Sequence, residues 1–160
     1  MWFFMNTCYV MSIVTLAMLV LGFFQSFGHF IVIKANHLTF MVLISMVYFF
    51  TETLVIFFFV GTGVSIKEYV LEHKLTAEFQ KQSFQVKMKL YPPLLLNMLY
   101  MIILFILVGA VDTHRISAWI YYSLFLFCII DYIRIKIIQN KCFKDNTKII
   151  LNMSGLKADF

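Results

Sequence analysis

Charge is what this chain of 160 residues has least of. Asp, Glu, Lys and Arg together make up 13% of it, whereas a soluble domain carries about 25%. Apolar residues make up 62%, and phenylalanine alone supplies 19 side chains. Polar side chains are therefore too scarce to cover a water-facing surface, and the composition excludes an ordinary soluble domain. A chain of this length has room for about four membrane-spanning helices and their connections.

Cysteine is also scarce, and familiar catalytic patterns are missing from the sequence. Cys8, Cys128 and Cys142 lie far apart and form no C-x-x-C or Cys/His metal motif. The chain contains no H-E-x-x-H motif and no Ser/His/Asp arrangement with an elbow turn. We therefore expect no catalytic activity of its own. The formal net charge of +5 is spread over connections and tail, which favours contact with anionic lipid headgroups over nucleic acid.

Four long apolar runs dominate the sequence, at about residues 3–24, 38–60, 93–111 and 116–138. As an α-helix, the second run would extend about 34 Å, enough to cross a hydrocarbon core of about 30 Å. We predict an all-α fold: an integral membrane four-helix bundle that forms a single transmembrane domain over residues 1–160.

Residues 61–92, between the second and third runs, are predicted to form an amphipathic connector, a helical hairpin or bent helix that lies on the membrane surface. Gly61-Thr62-Gly63 is expected to end the second span, because glycine is common at helix C-termini. Ser65-Ile66-Lys67-Glu68 has the spacing of a capping box that would begin a new helix. Pro92-Pro93 suits the first turn of the third span. Residues 139–160 are expected to form a polar, basic and only partly ordered tail.

The distribution of basic residues predicts the orientation of the chain in its membrane. With four spans, the N-terminus, the 61–92 segment and the tail share one side. Of the 13 Lys and Arg residues, all but Lys34 and Arg115 belong to that side or to the adjoining end of the fourth span. The positive-inside rule then places both termini on the cytoplasmic or matrix side. We expect a bacterial inner membrane or a mitochondrial inner membrane.

Among the ionisable residues within the predicted spans, Glu52, Asp131 and Arg134 form one candidate set, whereas Lys136, close to the end of the fourth span, is counted only with the basic residues that set the orientation. A carboxylate at that depth costs free energy unless it is paired, neutral or hydrated, so such residues are candidates for a functional site. Asp131 and Arg134 have the i,i+3 spacing of neighbours on one helix face. These three residues could form a proton or ion relay or contact a bound quinone or lipid. Alternatively, they could form interhelical contacts that only stabilise packing.

A second candidate set is predicted at the opposite end of the bundle, where the topology brings His29, His37, Asp112 and His114 to one face. Imidazole and carboxylate groups are acceptable ligands for copper or zinc. His37 and His114 could instead approach the edge of a haem, which leaves haem b and copper as candidate cofactors. Equally, these residues could be ordinary polar side chains of connecting loops.

Part of the chain resembles a family of small uncharacterised bacterial four-helix membrane proteins. The resemblance rests on His37, Glu52 and the run Gly61-Thr62-Gly63-x-x-Ile66-Lys67-Glu68, which a lysine-rich segment and a proline follow. In that family a G-T-G-x-x-(I/V)-K-E turn follows the second span. The resemblance covers roughly residues 36–119 and implies the same four-span topology. Family members often carry histidine in place of Glu52 and early in the fourth span, where this chain has Tyr121 and Tyr122. The resemblance therefore does not imply that this chain binds haem at Glu52, Tyr121 or Tyr122.

Spans that are aromatic-rich and apolar almost all round favour a non-catalytic integral membrane subunit. We expect an anchor or accessory component of a larger membrane complex, for instance of the respiratory or oxidase type, with lipids and other membrane subunits as partners. One alternative is a redox protein that binds haem or a metal through the histidines. Another is a small proton-coupled carrier that depends on Glu52.

Overall fold

The computed structural model describes residues 2–28 and 35–155, and these residues form four α-helices. They are α1 (Trp2–Gly28), α2 (His37–Glu72), α3 (Glu78–Asp112) and α4 (Ala118–Met153). Each of the four helices is long and apolar enough to cross a membrane. The predicted all-α four-helix fold is therefore confirmed, and an integral membrane protein is its natural interpretation.

The four helices form a closed ring in which each helix packs against two neighbours: α1 and α3 both contact α2 and α4. Short connections reverse the chain between α2 and α3 and between α3 and α4, as is usual for antiparallel neighbours in a bundle. Lys74 in the first connection and His114 in the second have positive φ angles of 52° and 54°, a conformation that suits sharp reversals.

We name the two ends of the bundle for the side chains they carry. The basic end holds the start of α1, the turn between α2 and α3, and the last turns of α4. The histidine end holds the start of α2, the connection between α3 and α4, and therefore His37 and His114.

Residues 61–92 form the expected helical hairpin, with its turn between Glu72 and Glu78, but the structure corrects the helix boundary expected at Gly61–Ser65. Helix α2 runs without interruption through Gly61-Thr62-Gly63 to Glu72, so no new helix begins at Ser65. Glycine inside a helix costs only about 1 kcal/mol relative to alanine, and packing outweighs that cost. Phe59, Ile66 and Val70 are all buried at helical spacing, so the core-facing side of α2 continues past the glycines.

Helices α3 and α4 are also longer than the sequence patterns indicate. Helix α3 begins at Glu78 and continues through Pro92-Pro93, with Val86, Leu90 and Leu94 buried on both sides of the prolines. Helix α4 continues to Met153, so the expected tail is helical over most of its length; residues 156–160 lie outside the described part of the chain. With 35 or 36 residues each, α2, α3 and α4 measure about 54 Å and exceed a hydrocarbon core of about 30 Å.

Two clusters of buried apolar side chains form the core. The cluster near the basic end includes Phe58, Phe59 and Phe143, whose rings contact one another. The cluster near the histidine end includes Met41, Ile44, Leu104, Phe125 and Cys128. Large apolar side chains are also exposed along all four helices, as expected where the solvent is lipid.

Candidate functional site: a buried polar layer

Between the two apolar clusters, all four helices contribute polar side chains to the bundle interior. We call this set the polar layer. Its buried members are Ser12, Thr15, Tyr48, Thr51, Glu52, Asn97, Asp131, Tyr132 and Gln139, and Lys136 joins them from the side. Polar groups removed from water and from lipid headgroups need partners within the protein, so their contacts define what the layer can do.

The centre of the polar layer is an ion pair between α2 and α4. Lys136 donates from Nζ to Glu52 Oε1 at 2.6 Å and to Gln139 Oε1 at 2.8 Å. Its ammonium also lies 4.7 Å from the centre of the Tyr132 ring, within range of a cation–π contact. Glu52 is 1% exposed and the Lys136 side chain 17% exposed. Among the described residues, no group donates a hydrogen bond to Glu52 Oε2.

A second chain of contacts joins α2, α3 and α4 through an amide. Asn97 donates from Nδ2 to Asp131 Oδ2 at 3.0 Å, and its own carbonyl oxygen accepts from the Tyr48 hydroxyl. The other oxygen of Asp131 lies 3.4 Å from Nη1 of Arg134, whose side chain is 65% exposed. Asn97 therefore uses both ends of its amide to hold the middle of α3 against its two neighbours.

Helix α1 joins the layer through hydroxyl groups. Thr15 and Thr51 lie with their Oγ1 atoms 2.9 Å apart, across the contact between α1 and α2. The Tyr132 hydroxyl donates to the backbone carbonyl of Ser12 at 3.3 Å, which connects α4 to α1. Each helix is thus hydrogen-bonded within the layer to a neighbour in the ring.

The structure assigns different partners to the three residues that the sequence analysis grouped together. Asp131 and Arg134 lie in contact, but Glu52 pairs with Lys136 and not with either of them. Sequence reasoning treated Lys136 as an interfacial charge, because it lies near the end of an apolar run. A signal was present: Lys136 falls one turn after Tyr132 and one turn before Gln139, on the face that α4 buries.

The polar layer is closed towards the histidine end and open to one side. The apolar side chains of Met41, Ile44 and Phe125, all fully buried, separate it from the histidine end. Laterally, a cavity of about 310 Å³ between α1 and α4 reaches Lys136 and Gln139. In the described part of the chain, the cavity therefore reaches Lys136, the partner of Glu52, from the side, whereas buried apolar side chains lie between the layer and the histidine end.

The histidine end has a cavity of its own, of about 380 Å³. His37, Asp112 and His114 all line it, so the topology brings these three predicted candidates to one place. His37 Nε2 lies 2.9 Å from the Tyr121 hydroxyl, with which it shares a hydrogen bond. Within residues 2–28 and 35–155, no three His, Cys, Asp or Glu side chains are grouped so that they could hold a metal ion. The fourth candidate, His29, lies outside the described residues.

We compared the chain with protein-family models, with curated proteins and with solved structures, and none of the three comparisons finds a match. The resemblance to four-helix bacterial membrane proteins therefore stays a prediction.

Proposed function

We propose that the protein is a non-catalytic integral membrane subunit that anchors or organises a larger membrane complex. The observation that carries the proposal is the extension of α2, α3 and α4 beyond the length that a bilayer needs. We call residues 61–91 and 139–153 the helical extension. About 12 to 15 residues of each helix belong to it, which is about 20 Å of helix outside the hydrocarbon core.

The helical extension has a core of its own, so it is a defined structure and not a loose connection. Ile66 and Val70 of α2 are buried against Val86 and Leu90 of α3, and Phe143 and Ile149 of α4 belong to the same cluster. A rigid stem that continues three membrane helices is suited to holding a partner at a defined distance from the bilayer. This is the role of an anchor or accessory subunit.

The surface of the extension carries apolar side chains that the bilayer would not cover. Val64, Leu71, Phe84 and Met88 are between 50% and 68% exposed. Val64 and Phe84 also line one cavity between α2 and α3, together with Lys67 and Lys87. Exposed apolar side chains with a charged rim are typical of a protein–protein contact. We infer that this α2–α3 face binds the partner subunit.

For the orientation, we propose that the basic end lies on the cytoplasmic or matrix side. The helical extension carries most of the Lys residues of the chain, including Lys67, Lys81 and Lys144. Basic residues close to the ends of spanning helices favour that side. The partner is therefore expected to be a membrane subunit with a domain in the cytoplasm or the matrix, of a respiratory, oxidase-type or other membrane complex.

Purification in a mild detergent, with mass spectrometry of all co-eluting proteins and a visible spectrum of the sample, tests the proposal. We expect stoichiometric partner subunits and no haem or copper absorption from the chain itself. Val64→Asn combined with Phe84→Asn should remove the partners. Trp119→Asn, which removes a 76% exposed aromatic ring at the histidine end, should retain them. A protein that elutes alone, or with an intrinsic chromophore, would overturn the proposal.

A proton-coupled carrier is a second candidate, and one observation favours it. The second carboxylate oxygen of Glu52 is buried without a hydrogen-bond donor in the described part of the chain. Such an oxygen could accept a proton or a bound cation. Glu52→Gln separates the two functions in proteoliposomes: loss of proton flux with unchanged stability would support a carrier, whereas loss of stability or assembly would support a packing role.

A further inference from the structure

A groove follows the contact between α1 and α4 from the polar layer to the basic end. It consists of the cavity of about 310 Å³ beside Lys136 and a wider one of about 600 Å³ nearer the end. Tyr9 lines both cavities and donates a hydrogen bond to Asn140 Oδ1 at 2.7 Å, so this pair lies where the two meet. We call the two cavities together the α1–α4 groove.

The wide part of the groove is positively charged. Lys144 and Lys148 line it from successive turns of α4, with Thr147 between them, and both lysines are exposed. No Asp or Glu is among the described residues that line either part of the groove. Lys136, in the narrow part, is already paired with Glu52. In the part of the chain that the structure describes, Lys144 and Lys148 form no ion pair, although Asp145 lies beside Lys144 in the sequence, so their ammonium groups at the wide mouth could bind a phosphate group.

The narrow part of the groove is mainly apolar. Its walls include Ile13 and Leu16 of α1 and Ile133 and Ile137 of α4. Trp2 lines the wide part and is 74% exposed, and tryptophan at the end of a spanning helix is typical of the headgroup level of a bilayer. The groove thus has a basic mouth at headgroup level and apolar walls at acyl-chain level.

We propose that the α1–α4 groove binds one anionic phospholipid. The lipid phosphate lies against Lys144 and Lys148, and an acyl chain lies along Ile13 and Ile133. This assignment follows because the groove has a positively charged mouth followed by apolar walls, and a phospholipid has a charged headgroup followed by apolar acyl chains. A free phosphate would match only the mouth.

Trp2 makes the proposal testable, because the chain has two tryptophans and Trp119→Phe leaves Trp2 alone. That variant is reconstituted in phosphatidylcholine vesicles in which either phosphatidylglycerol or phosphatidylcholine carries bromine, which quenches tryptophan fluorescence on close contact. Each lysine near a bilayer surface contributes about fivefold in affinity, so we expect brominated phosphatidylglycerol to be preferred by about 5- to 30-fold.

Adding Lys144→Gln and Lys148→Gln should abolish this preference. The matched control is Lys81→Gln with Lys89→Gln, which removes the same charge from exposed positions of α3 and should retain the preference. Equal quenching by both lipids, or equal effects of the two pairs of substitutions, would overturn the proposal. Competition by inorganic phosphate at constant ionic strength would also overturn it, because it would show a simple anion site that needs no acyl chain.

Discussion

Breaking the ion pair between Glu52 and Lys136 should destabilise the bundle, and the loss of stability should depend on which of the two residues is replaced. At 2.6 Å and an effective dielectric constant of about 20, the attraction between the two charges is about 6 kcal/mol before desolvation is subtracted. Lys136→Met leaves a 1% exposed carboxylate without its cation, and we expect a loss of about 3–5 kcal/mol. Glu52→Gln keeps a hydrogen-bond acceptor for Lys136, which is partly exposed and also bonded to Gln139, so we expect about 1–3 kcal/mol.

The double variant Glu52→Gln/Lys136→Met carries the diagnostic result. With both charges removed, no unpaired ion is left inside the bundle, so its stability should approach that of the unmodified chain. Because the two single variants together lose about 4–8 kcal/mol and the double variant loses little, the double-mutant cycle should give a coupling of about 4–8 kcal/mol, above the range of about 0.5–3 kcal/mol that is usual for residues in contact. Arg134→Gln is the matched control: it removes a cation from the same helix, but the Arg134 side chain is 65% exposed and Asp131 keeps its hydrogen bond from Asn97, so we expect a loss of at most about 1 kcal/mol.

The cysteines of the chain provide the assay. Cys8, Cys128 and Cys142 are free and at most 3% exposed, so a thiol-reactive fluorescent maleimide should label them only as the bundle opens. Titration with a denaturing detergent in mixed micelles, followed by this labelling, measures the free energy of unfolding of each variant. If the two single variants lose equal stability and the double variant loses their sum, the pair is not coupled and the reasoning is refuted.

Three further predictions use the same assay. Gly22→Ala would place a Cβ atom 2.6 Å from an isoleucine methyl group of α2 and should cost about 1–3 kcal/mol. Gly109→Ala, with no atom within 4 Å of its new Cβ, should instead stabilise the bundle by up to about 1 kcal/mol, because alanine is favoured over glycine inside a helix. Asn97→Leu leaves a tyrosine hydroxyl and an aspartate oxygen of the polar layer without their partner and should cost about 2–4 kcal/mol; an unchanged midpoint would argue against this network. Tyr121→Phe removes one hydrogen bond from His37 and should cost about 1 kcal/mol, and a larger loss would indicate a wider role for the histidine-end cavity.

Sequence reasoning correctly predicted four helices that are each long and apolar enough to cross a membrane, because a long apolar run has one stable form in a bilayer. It failed where packing competes with local signals. Gly61-Thr62-Gly63 and Pro92-Pro93 look like helix boundaries, but the buried faces of α2 and α3 continue across them. It also missed the pairing of Glu52 with Lys136. Spans that are apolar on every side do not show how each helix is rotated, and rotation decides which polar residues meet.

The contacts of the polar layer determine how the four helices are ordered and rotated, which the apolar surfaces alone do not determine. In lipid, two apolar helices gain little by contacting each other instead of acyl chains, so the order and rotation of the helices depend on packing and on polar contacts. Here α1 is held by Thr15 against α2, α3 by Asn97 against α2 and α4, and α2 by Glu52 against α4. A bundle held in this way keeps its helical extension in one orientation, which an anchoring subunit requires and a carrier that must rearrange does not. The coupling energy measured between Glu52 and Lys136 therefore bears on function as well as on stability. A strong coupling favours the anchoring subunit, whereas a weak coupling favours the carrier, in which the Glu52 carboxylate must be free to bind a proton.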